Sequence, residues 1–487
     1  MKGSKKRQVT KAEEAGGDTK KLKHSHHTEN VETHHVFFEY FLKVSRSEFF
    51  KTYFEKKHLL CSHGDPHHFS SGNEKLHIPP IQWSTELMLK HAKNRPLHFG
   101  TDISVVRFDK EKGCRVTYKS EGVTTPAELK QCMDSGWSVR FLRPHEYMES
   151  DSAFISLMER EFGCYCGLNS YWTPAGTQGF APHYDDVDVF LFQMEGEKEW
   201  RLYDPLDEVG VLTRHSSEDF QLDEYPEPKY FFTLKAGDVL YMPRGMVHQG
   251  RTTARTHSLH VTFSANQMNT WADVMQQVAA YSVGVLAANR LEWRKTVPLD
   301  LPRVLGIANS DTFRETAGVT PLTELQKSKR ETFLLQLRER VAEMTLLMTE
   351  ETNLDTSVDV YVKESIRKLQ PPSAQYAHTV PASVELDAAA RVRLVSATCC
   401  RLMMQYEGEA QVVHCGTNSH VCLQTEIGEL RFEAVFAPAV ATLLSRYPKF
   451  TQVSSLPFPD FDDPAEVAEN QLLLVETLRD SNILQKE

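Results

Sequence analysis

The chain has 487 residues, of which 40% are hydrophobic and 25% charged, and its formal net charge is −11. A chain of this length is longer than the usual domain with a single hydrophobic core, so it predicts several domains. The negative charge argues against a general nucleic-acid-binding surface. The absence of any apolar run of about 18 residues argues against a transmembrane helix. Nine cysteines without a C-x-x-C pair, and no secretory signal at the start, favour reduced thiols in an intracellular protein.

Residues 1–35 form a basic and polar segment. Its first 24 residues contain eight lysines and arginines but only three acidic residues. Such a segment buries too little apolar area to order itself, which predicts a disordered tail. Two interpretations stay open: an address for the nucleus or nucleolus that also contacts RNA loosely, and a solvated tail without a function of its own.

Residues 36–266 are predicted to form a mainly β domain that begins with short helices. Phenylalanines at helical spacing in "FFEYFLKVSRSEFFKTYFEKKHLL" predict two short helices. The alternation around Lys112-Gly113 predicts a β-hairpin, "SVRFLRP" a strand, and "EYMESDSAFISLMEREFG" a helix that ends at Gly163. Residues 164–264 are rich in strands and turns, which is typical of an antiparallel sandwich or barrel.

The remainder of the chain predicts two further parts. Residues 267–375 contain long helical patterns, "NTWADVMQQVAAYSVGVLAANRLEWR" and "LTELQKSKRETFLLQLRERVAEMTLLMTEE", whose apolar faces must pack on this chain or on a copy of it. The Pro-rich "LQPPSAQYAHTVPAS" indicates a linker. Residues 376–487 mix short helices with a hairpin pattern, as small winged-helix modules do.

A candidate metal site begins in "APHYDDVDVFLFQMEGEKEWRLYDP", residues 181–205. Alternate residues of a strand share a face, so His183 and Asp185 are predicted to project together at the start of an apolar inward face. A charged Asp there is costly unless it is paired or bound to a metal. A turn predicted over residues 195–197 then brings Lys198 into the same cavity from the neighbouring strand.

The second half of the site is predicted in "LKAGDVLYMPRGMVHQG", which delivers His248 after two turns. Two His and one Asp form a facial triad that suits Fe(II) and leaves positions open for a bidentate cosubstrate and O₂. Lys198 would pair with an anionic tail, which fits the distal carboxylate of 2-oxoglutarate. The alternative is a plain β-sandwich with His and Asp at loop ends. The other nearby histidines are interpreted as satisfied or exposed: His215, His257 and His260.

These residues closely resemble those of the JmjC ribosomal oxygenases, the nucleolar 2-oxoglutarate-dependent histidyl hydroxylases. The matching runs are "NSYWTPAGTQGFAPHYDDVDVFLFQMEGEKEWRLYDP", "LKAGDVLYMPRGMVHQG", "HSLHVTFS" and "NTWADVM". The resemblance covers residues 36–487 and is most specific over 164–275. It implies a double-stranded β-helix (cupin-like JmjC barrel), an α-helical dimerisation region that makes a homodimer, and a C-terminal winged helix.

The resemblance also implies roles for particular residues. His183, Asp185 and His248 resemble the Fe(II) ligands, and Lys198 the partner of 2-oxoglutarate. Further residues resemble contacts of the cosubstrate (Thr262) and of the substrate side chain (Asn169, Tyr171 and Ser264). The implied reaction consumes O₂ and 2-oxoglutarate, releases succinate and CO₂, and leaves 3-hydroxyhistidine in a ribosomal protein, by resemblance one of the large subunit. The implied location is the nucleus, and within it the nucleolus.

Two rival functions stay open. A histone lysine demethylase would use the same iron chemistry on an N-methyl group, and a catalytically silent scaffold would act through the dimer and the winged helix. The acidic stretch at 460–466 disfavours specific DNA binding there. Loops around such a barrel often choose the substrate, so residues 206–233 are expected to matter for the target. The target histidine, any demethylase activity and the oxygen affinity are not fixed by the sequence.

Overall fold

The computed structural model describes residues 36–205, 210–220, 227–405, 408–421 and 426–487. The predicted tail over 1–35, and parts of the 206–233 loop, lie outside the described residues. The first elements are α1 (Val36–Leu42), α2 (Arg46–Thr52), β1 (Leu59–Ser62), α3 (His68–Ser71), α4 (Thr85–Asn94) and β2 (Leu97–His98). The two predicted short helices are confirmed, and Phe37, Phe41 and Phe49 are fully buried in the main core.

The β domain continues through a mixture of strands and helices. Its elements are β3 (Ile103–Asp109), β4 (Cys114–Thr117), β5 (Val123–Thr124), α5 (Pro126–Asp134), β6 (Ser138–Leu142), α6 (Glu149–Phe162), β7 (Gly167–Thr173), β8 (Asp188–Tyr203), β9 (Tyr230–Lys235), β10 (Asp238–Met242), β11 (Val247–Thr252) and β12 (Ser258–Ala265). The predicted β3–β4 hairpin is confirmed, and α6 ends at Gly163, whose positive φ of 68° makes the C-cap.

Two antiparallel sheets share the long strand β8. The larger sheet has the order β1-β10-β8-β12-β7-β6-β3-β4, and the far half of β8 pairs with β9 and β11 instead. The residues of β8 before Gly196 pair with β10 and β12, while those after it pair with β9 and β11. The two sheets therefore form one barrel, and the predicted cupin-like fold is confirmed.

The predicted ends of β8 are wrong in two places. The strand begins at Asp188 rather than near His183, because residues 184–187 bend away before pairing starts. The turn predicted over 195–197 is absent, and the strand runs through it to Tyr203. Gly196 has a φ of 64°, and a Cβ there would lie 1.8 Å from the His257 carbonyl oxygen. Glycine thus bends the strand from one sheet into the other without ending it.

Helices follow the barrel, as predicted. They are α7 (Trp271–Asn289), α8 (Leu291–Arg294), α9 (Leu301–Val304), α10 (Asp311–Thr316), α11 (Glu324–Met348), α12 (Glu351–Ile366) and α13 (Ala374–Ala377). A capping box formed by Thr270 and Asp273 starts α7, and the buried Asn353 of α12 donates to Ser282 of α7 at 2.9 Å. None of the described helices has a stretch long and apolar enough to cross a membrane.

The C-terminal part has its own hydrophobic core. Its elements are β13 (Arg391–Leu394), β14 (Cys400–Met404), β15 (Glu409–His414), β16 (Gly428–Glu433), α14 (Ala437–Arg446), β17 (Thr451–Gln452), α15 (Pro464–Asp480) and β18 (Leu484–Lys486). They form two small sheets, β14-β15-β16 and β17-β13-β18, against the two helices. The buried Glu159 of α6 accepts hydrogen bonds from the Gln370 and Cys166 amides, which ties this part to the barrel.

Candidate metal centre and its cavity

His183, Asp185 and His248 come together at one mouth of the barrel. His183 and His248 form an antiparallel bridge in which each amide donates to the other carbonyl, at 3.2 and 2.9 Å. The Gly245 amide donates to the Asp185 carbonyl at 2.9 Å, so the turn before β11 holds the carboxylate segment. Two segments that are distant in sequence are therefore joined by backbone hydrogen bonds at the site.

Hydrogen bonds fix both imidazoles in the orientation that a metal ligand needs. The Nδ1 atoms of His183 and His248 lie 2.7 Å from the Ala181 carbonyl and 3.0 Å from the Met246 carbonyl. Since a carbonyl can only accept, each Nδ1 carries the proton and each Nε2 lone pair is free. The Nε2 atoms lie 3.9 and 3.7 Å from oxygens of Asp185.

The donor set fits a divalent transition metal. The candidate ligand atoms of the three residues all lie within 4.8 Å of one another, and two imidazoles with one carboxylate are the ligands of non-haem Fe(II) sites. Burial in the barrel, together with the neighbouring His183, lowers the pKa of His248 to about 4. His248 is therefore neutral near neutral pH, as metal binding requires. The role of the three residues as ligands stays a prediction.

A cavity of about 350 Å³ extends from this site into the barrel. Its described lining includes the following side chains outside the three candidate ligands: Arg115, Arg140, Tyr171, Phe180, Lys198, Trp200, Asp219, His260 and Thr262. Glycine at position 250 leaves room for the Lys198 side chain in this cavity, because a Cβ there would lie 2.8 Å from Cε of Lys198. The cavity is large enough for a small dicarboxylate beside a substrate side chain.

Lys198 is buried in this cavity with 4% of its surface exposed. Its Nζ atom contacts the Thr173 hydroxyl at 3.4 Å, and no carboxylate among the described residues forms an ion pair with it. Burial lowers the pKa of Lys198 to about 7. A buried ammonium without an anion is costly, so this position favours an anionic ligand. Lys198 lies on the same strand as the bend, rather than on a separate neighbouring strand.

The other predicted site residues divide into two pairs. Tyr171 and Thr262 line the cavity, whereas Asn169 and Ser264 are not among its described lining residues. Asn169 lies opposite Thr262 in the β7–β12 pair, and Ser264 lies opposite Gly167. Ser264 also pairs with Val189 of β8, so Asn169 and Ser264 are each the cross-strand neighbour of a lining residue. The predicted roles of all four residues stay predictions.

The sequence interpretation missed several cavity residues. Arg140 lies near the ring of Phe180, 5.9 Å from guanidinium carbon to ring centroid, and Arg115 lies at 5.5 Å from the same ring. His260 stacks on Tyr171. Residue spacing within a strand predicts which side chains share a face of that strand. Only the pairing of β6, β7 and β12 brings these faces into one cavity.

A short segment over residues 213–220 lies along residues 184–186, next to the candidate metal site. Ser217 exchanges hydrogen bonds with the backbone of Tyr184 at 3.0 Å, and Ser216 donates to the Asp186 carboxylate at 2.8 Å. Asp186 is therefore held by polar contacts while it stays only partly exposed. Asp188, two residues further along, is fully buried and accepts hydrogen bonds from Tyr241 and Asn266, so it is a structural residue.

A barrel of two antiparallel sheets, with two imidazoles and a carboxylate at one mouth, defines a JmjC-type oxygenase domain. The JmjC domain family matches residues 140–274, and the family described as the C-terminal winged helix domain of ribosomal oxygenase 1 matches residues 362–477. The chain is 30% identical to "Ribosomal oxygenase 1" of Danio rerio, over 91% of this chain and 77% of that relative.

Other relatives agree with this assignment. Two proteins named "Bifunctional lysine-specific demethylase and histidyl-hydroxylase NO66" are each 31% identical: that of Dictyostelium discoideum, over 86% of this chain and 77% of the relative, and that of Drosophila willistoni, over 97% and 61%. The chain belongs to the ribosomal oxygenase family of JmjC proteins, which confirms the resemblance. A solved structure of the Escherichia coli ribosomal oxygenase YcfD aligns with 92% of this chain and 99% of its own, at 17% identity and a TM-score of 0.44.

Proposed function

We propose that this protein is an Fe(II)- and 2-oxoglutarate-dependent oxygenase that hydroxylates a histidine side chain of a ribosomal protein. The products are 3-hydroxyhistidine, succinate and CO₂. One observation carries the proposal: a cavity with His183, Asp185 and His248 at one end contains a buried Lys198 that lacks an anionic partner among the described residues. The names of the relatives support the choice of histidine and of ribosomal protein.

The residues of the cavity suit a 2-oxo acid with a distal carboxylate. His183, Asp185 and His248 would hold one face of the iron and leave its opposite face to the cosubstrate. Lys198 would bind the distal carboxylate, with the Thr262 hydroxyl as a second contact. Bound iron supplies the activation of O₂ and the oxidation that couples decarboxylation to hydroxylation. The protein contributes orientation and a cavity that excludes competing reactions.

The substrate end of the cavity is aromatic and basic. Tyr171 and Phe180 pack edge to face at 5.6 Å between ring centroids, and Arg140 lies beside them. Such walls bind a flat, neutral imidazole by stacking and hydrogen bonding. We propose that Asn169, Tyr171 and Ser264 contact the substrate side chain, as the resemblance implies.

The same arrangement disfavours the second candidate, a histone lysine demethylase. A methylated lysine carries a positive charge, and aromatic or acidic walls recognise it. The described lining instead contains two basic side chains, Arg115 and Arg140. Apart from the candidate metal ligand, its carboxylate is that of Asp219. Charge repulsion therefore favours a histidine substrate over methyl-lysine.

We propose that the protein acts as a homodimer through its helical region. The helix α11 has no fully buried residue, and several large apolar side chains on it are exposed, including Leu337 at 44% and Val341 at 56%. Apolar exposure on this scale marks an interaction surface. The helix lies in the region that resembles the family's dimerisation segment, so the partner is a second copy of this chain.

The proposed location is the nucleus, and the nucleolus within it, where ribosomal proteins join the assembling ribosome. The basic composition of residues 1–35 supports this address. The domain limits at 36–266, 267–375 and 376–487 are part of the same proposal. Ile366 and Leu369, which precede the last limit, already pack in the C-terminal core.

Mass spectrometry of ribosomal proteins tests the proposed function. Purified protein with Fe(II), ascorbate and 2-oxoglutarate should add the mass of one oxygen atom to a histidine-containing peptide, and tandem spectra should place it on the imidazole-bearing residue. Methylated histone peptides provide the parallel arm. Formaldehyde release from these peptides without any modified histidine would favour the demethylase instead.

A further inference from the structure

His260 occupies the middle of β12, directly opposite Tyr171 of β7 and Gln193 of β8. The pairing of β12 with β8 shifts register between Leu259 and His260, a bulge-like irregularity. Such irregularities re-aim side chains next to active sites. The imidazole of His260 consequently lines the catalytic cavity while only 2% of the residue is exposed.

Aromatic neighbours hold this imidazole in a fixed orientation. It stacks on the Tyr171 ring with centroids 4.8 Å apart and planes 8° from parallel. The Trp200 ring packs against it at 5.5 Å and 77°, close to perpendicular. His260 therefore stands between a predicted substrate contact, Tyr171, and the strand that presents Lys198.

The Nδ1 atom of His260 has no hydrogen-bond partner among the described residues. Burial, reinforced by the nearby charge of Lys198, holds the pKa of His260 well below its usual range, so the imidazole is neutral. That Nδ1 atom has almost no accessible surface, so a ligand in the cavity reaches the imidazole through its other nitrogen, Nε2. An unpaired buried N–H is costly, which favours the tautomer in which Nε2 carries the proton. Lys198 needs an anion for its charge, since no carboxylate of the described residues pairs with it.

We propose that His260 is a cosubstrate-positioning residue, which donates a hydrogen bond to the carboxylate that Lys198 binds and uses its stacking contact to fix Tyr171 for the substrate. The inference rests on the proposed function and extends it by one residue. The cosubstrate can contact the His260 imidazole and the Lys198 ammonium at once, because its distal carboxylate has two oxygens. Occupancy of the cosubstrate site is thereby linked to the orientation of the substrate contact.

Two substitutions separate the hydrogen bond from the stacking contact. His260→Phe keeps a flat ring against Tyr171 but removes the donor, so it should weaken 2-oxoglutarate binding about tenfold. His260→Gln keeps a donor but loses the ring, so it should hold affinity within about threefold while raising succinate formation that is not matched by product. The measurement is calorimetry of 2-oxoglutarate binding under anaerobic conditions with Mn(II) in place of Fe(II).

Two controls make the result specific to His260. His257→Phe changes a partly exposed histidine three positions earlier, which bonds to Glu195 and is not among the described lining residues of the cavity, and it should leave cosubstrate affinity unchanged. The analogue 2-oxobutyrate lacks the distal carboxylate, and its affinity should differ little between the wild type and His260→Phe. Equal 2-oxoglutarate affinity of the wild type and His260→Phe would overturn the inference.

A measurement on the unmodified chain covers the case in which His260→Phe fails to fold. Nitrogen-labelled histidine in protein loaded with Zn(II) gives one ring signal for His260, assigned with the His260→Gln variant. Addition of 2-oxoglutarate should shift that signal as its hydrogen bond forms, and an unmoved signal would overturn the inference. Failure of the wild type to bind 2-oxoglutarate at all would instead overturn the proposed function.

Discussion

At the scale of single residues, the site is organised by its backbone carbonyls. Ala181 and Met246 accept the Nδ1 protons of the two histidines, so both Nε2 atoms are available on the same side as the Asp185 carboxylate. Orientation of this kind lowers the cost of assembling a metal site. It follows that removing the carboxylate should affect metal binding far more than folding.

Asp185→Ala should weaken Fe(II) or Mn(II) binding by about a hundredfold or more, because one of the three proposed protein ligands is lost. Equilibrium dialysis measures the affinity, and thermal unfolding of the metal-free protein should be nearly unchanged. Asp186→Ala is the matched control, since the partly exposed Asp186 carboxylate bonds to Ser216 and Gln267. Metal binding that survives in Asp185→Ala would remove this residue from the site.

Cosubstrate binding should depend on pH through Lys198. Its pKa in the free protein is lowered to about 7, so above that pH the ammonium loses its proton and must regain it to bind a carboxylate. The apparent affinity for 2-oxoglutarate should therefore fall by up to about tenfold per pH unit from about pH 7 to about pH 9. Calorimetry at fixed metal saturation measures it. Lys198→Met should bind weakly with a flat profile, and a flat wild-type profile would contradict the account.

The sequence singles out individual candidate residues more readily than it indicates which residues will surround them in space. His183, Asp185, His248 and Lys198 stand out because charged or metal-ligating types begin or interrupt apolar strands. The sequence interpretation treated His260 as an ordinary histidine, because its burial and its contact with Tyr171 depend on three strands that are distant in the chain. Long-range pairing of this kind has no signature in local spacing.

At the scale of elements, one bent strand positions the whole cavity. The first half of β8 belongs to the larger sheet and its second half to the smaller one, with Gly196 at the bend. Residue types around Gly196 look like a hairpin turn, which explains why the sequence predicted two strands there. The close approach of the His257 carbonyl to Gly196, which only the structure shows, explains why glycine is needed at a bend within one strand.

Gly196→Ala should destabilise the barrel by about 2 kcal/mol or more, because φ is positive and the added Cβ meets a backbone oxygen. Urea unfolding measures the change. The same substitution at Gly284, which is exposed in α7 with no atom near its Cβ position, should stabilise by about 0.5–1 kcal/mol. Equal effects at the two glycines would show that the bend carries no strain.

At the scale of the whole molecule, three parts meet around the barrel. The order of a β domain, long helices and a small C-terminal module could be read from changes in hydrophobic period along the chain. The strand order β1-β10-β8-β12-β7-β6-β3-β4 could not, since pairs such as β1–β10 and β12–β7 are far apart in sequence. The exposed apolar face of α11 adds a surface that a single chain leaves uncovered.

Leu337→Glu combined with Val341→Glu should convert the proposed dimer into a monomer, because two charges replace apolar side chains one helical turn apart on α11. Sedimentation velocity measures the assembly state, and circular dichroism checks the helix. Gln336→Glu adds a charge at an adjacent polar position and should leave the dimer intact. A wild-type protein that sediments as a monomer at high concentration would refute the dimer.

The central claim is that the barrel inserts an oxygen atom from O₂ into a histidine of a ribosomal protein. The most direct test is turnover under heavy-isotope O₂ in ordinary water. The account predicts one heavy oxygen atom in the modified histidine and one in succinate, and neither in the Asp185→Ala variant. A modified histidine whose oxygen comes from water, or succinate formed without any labelled histidine, would contradict it.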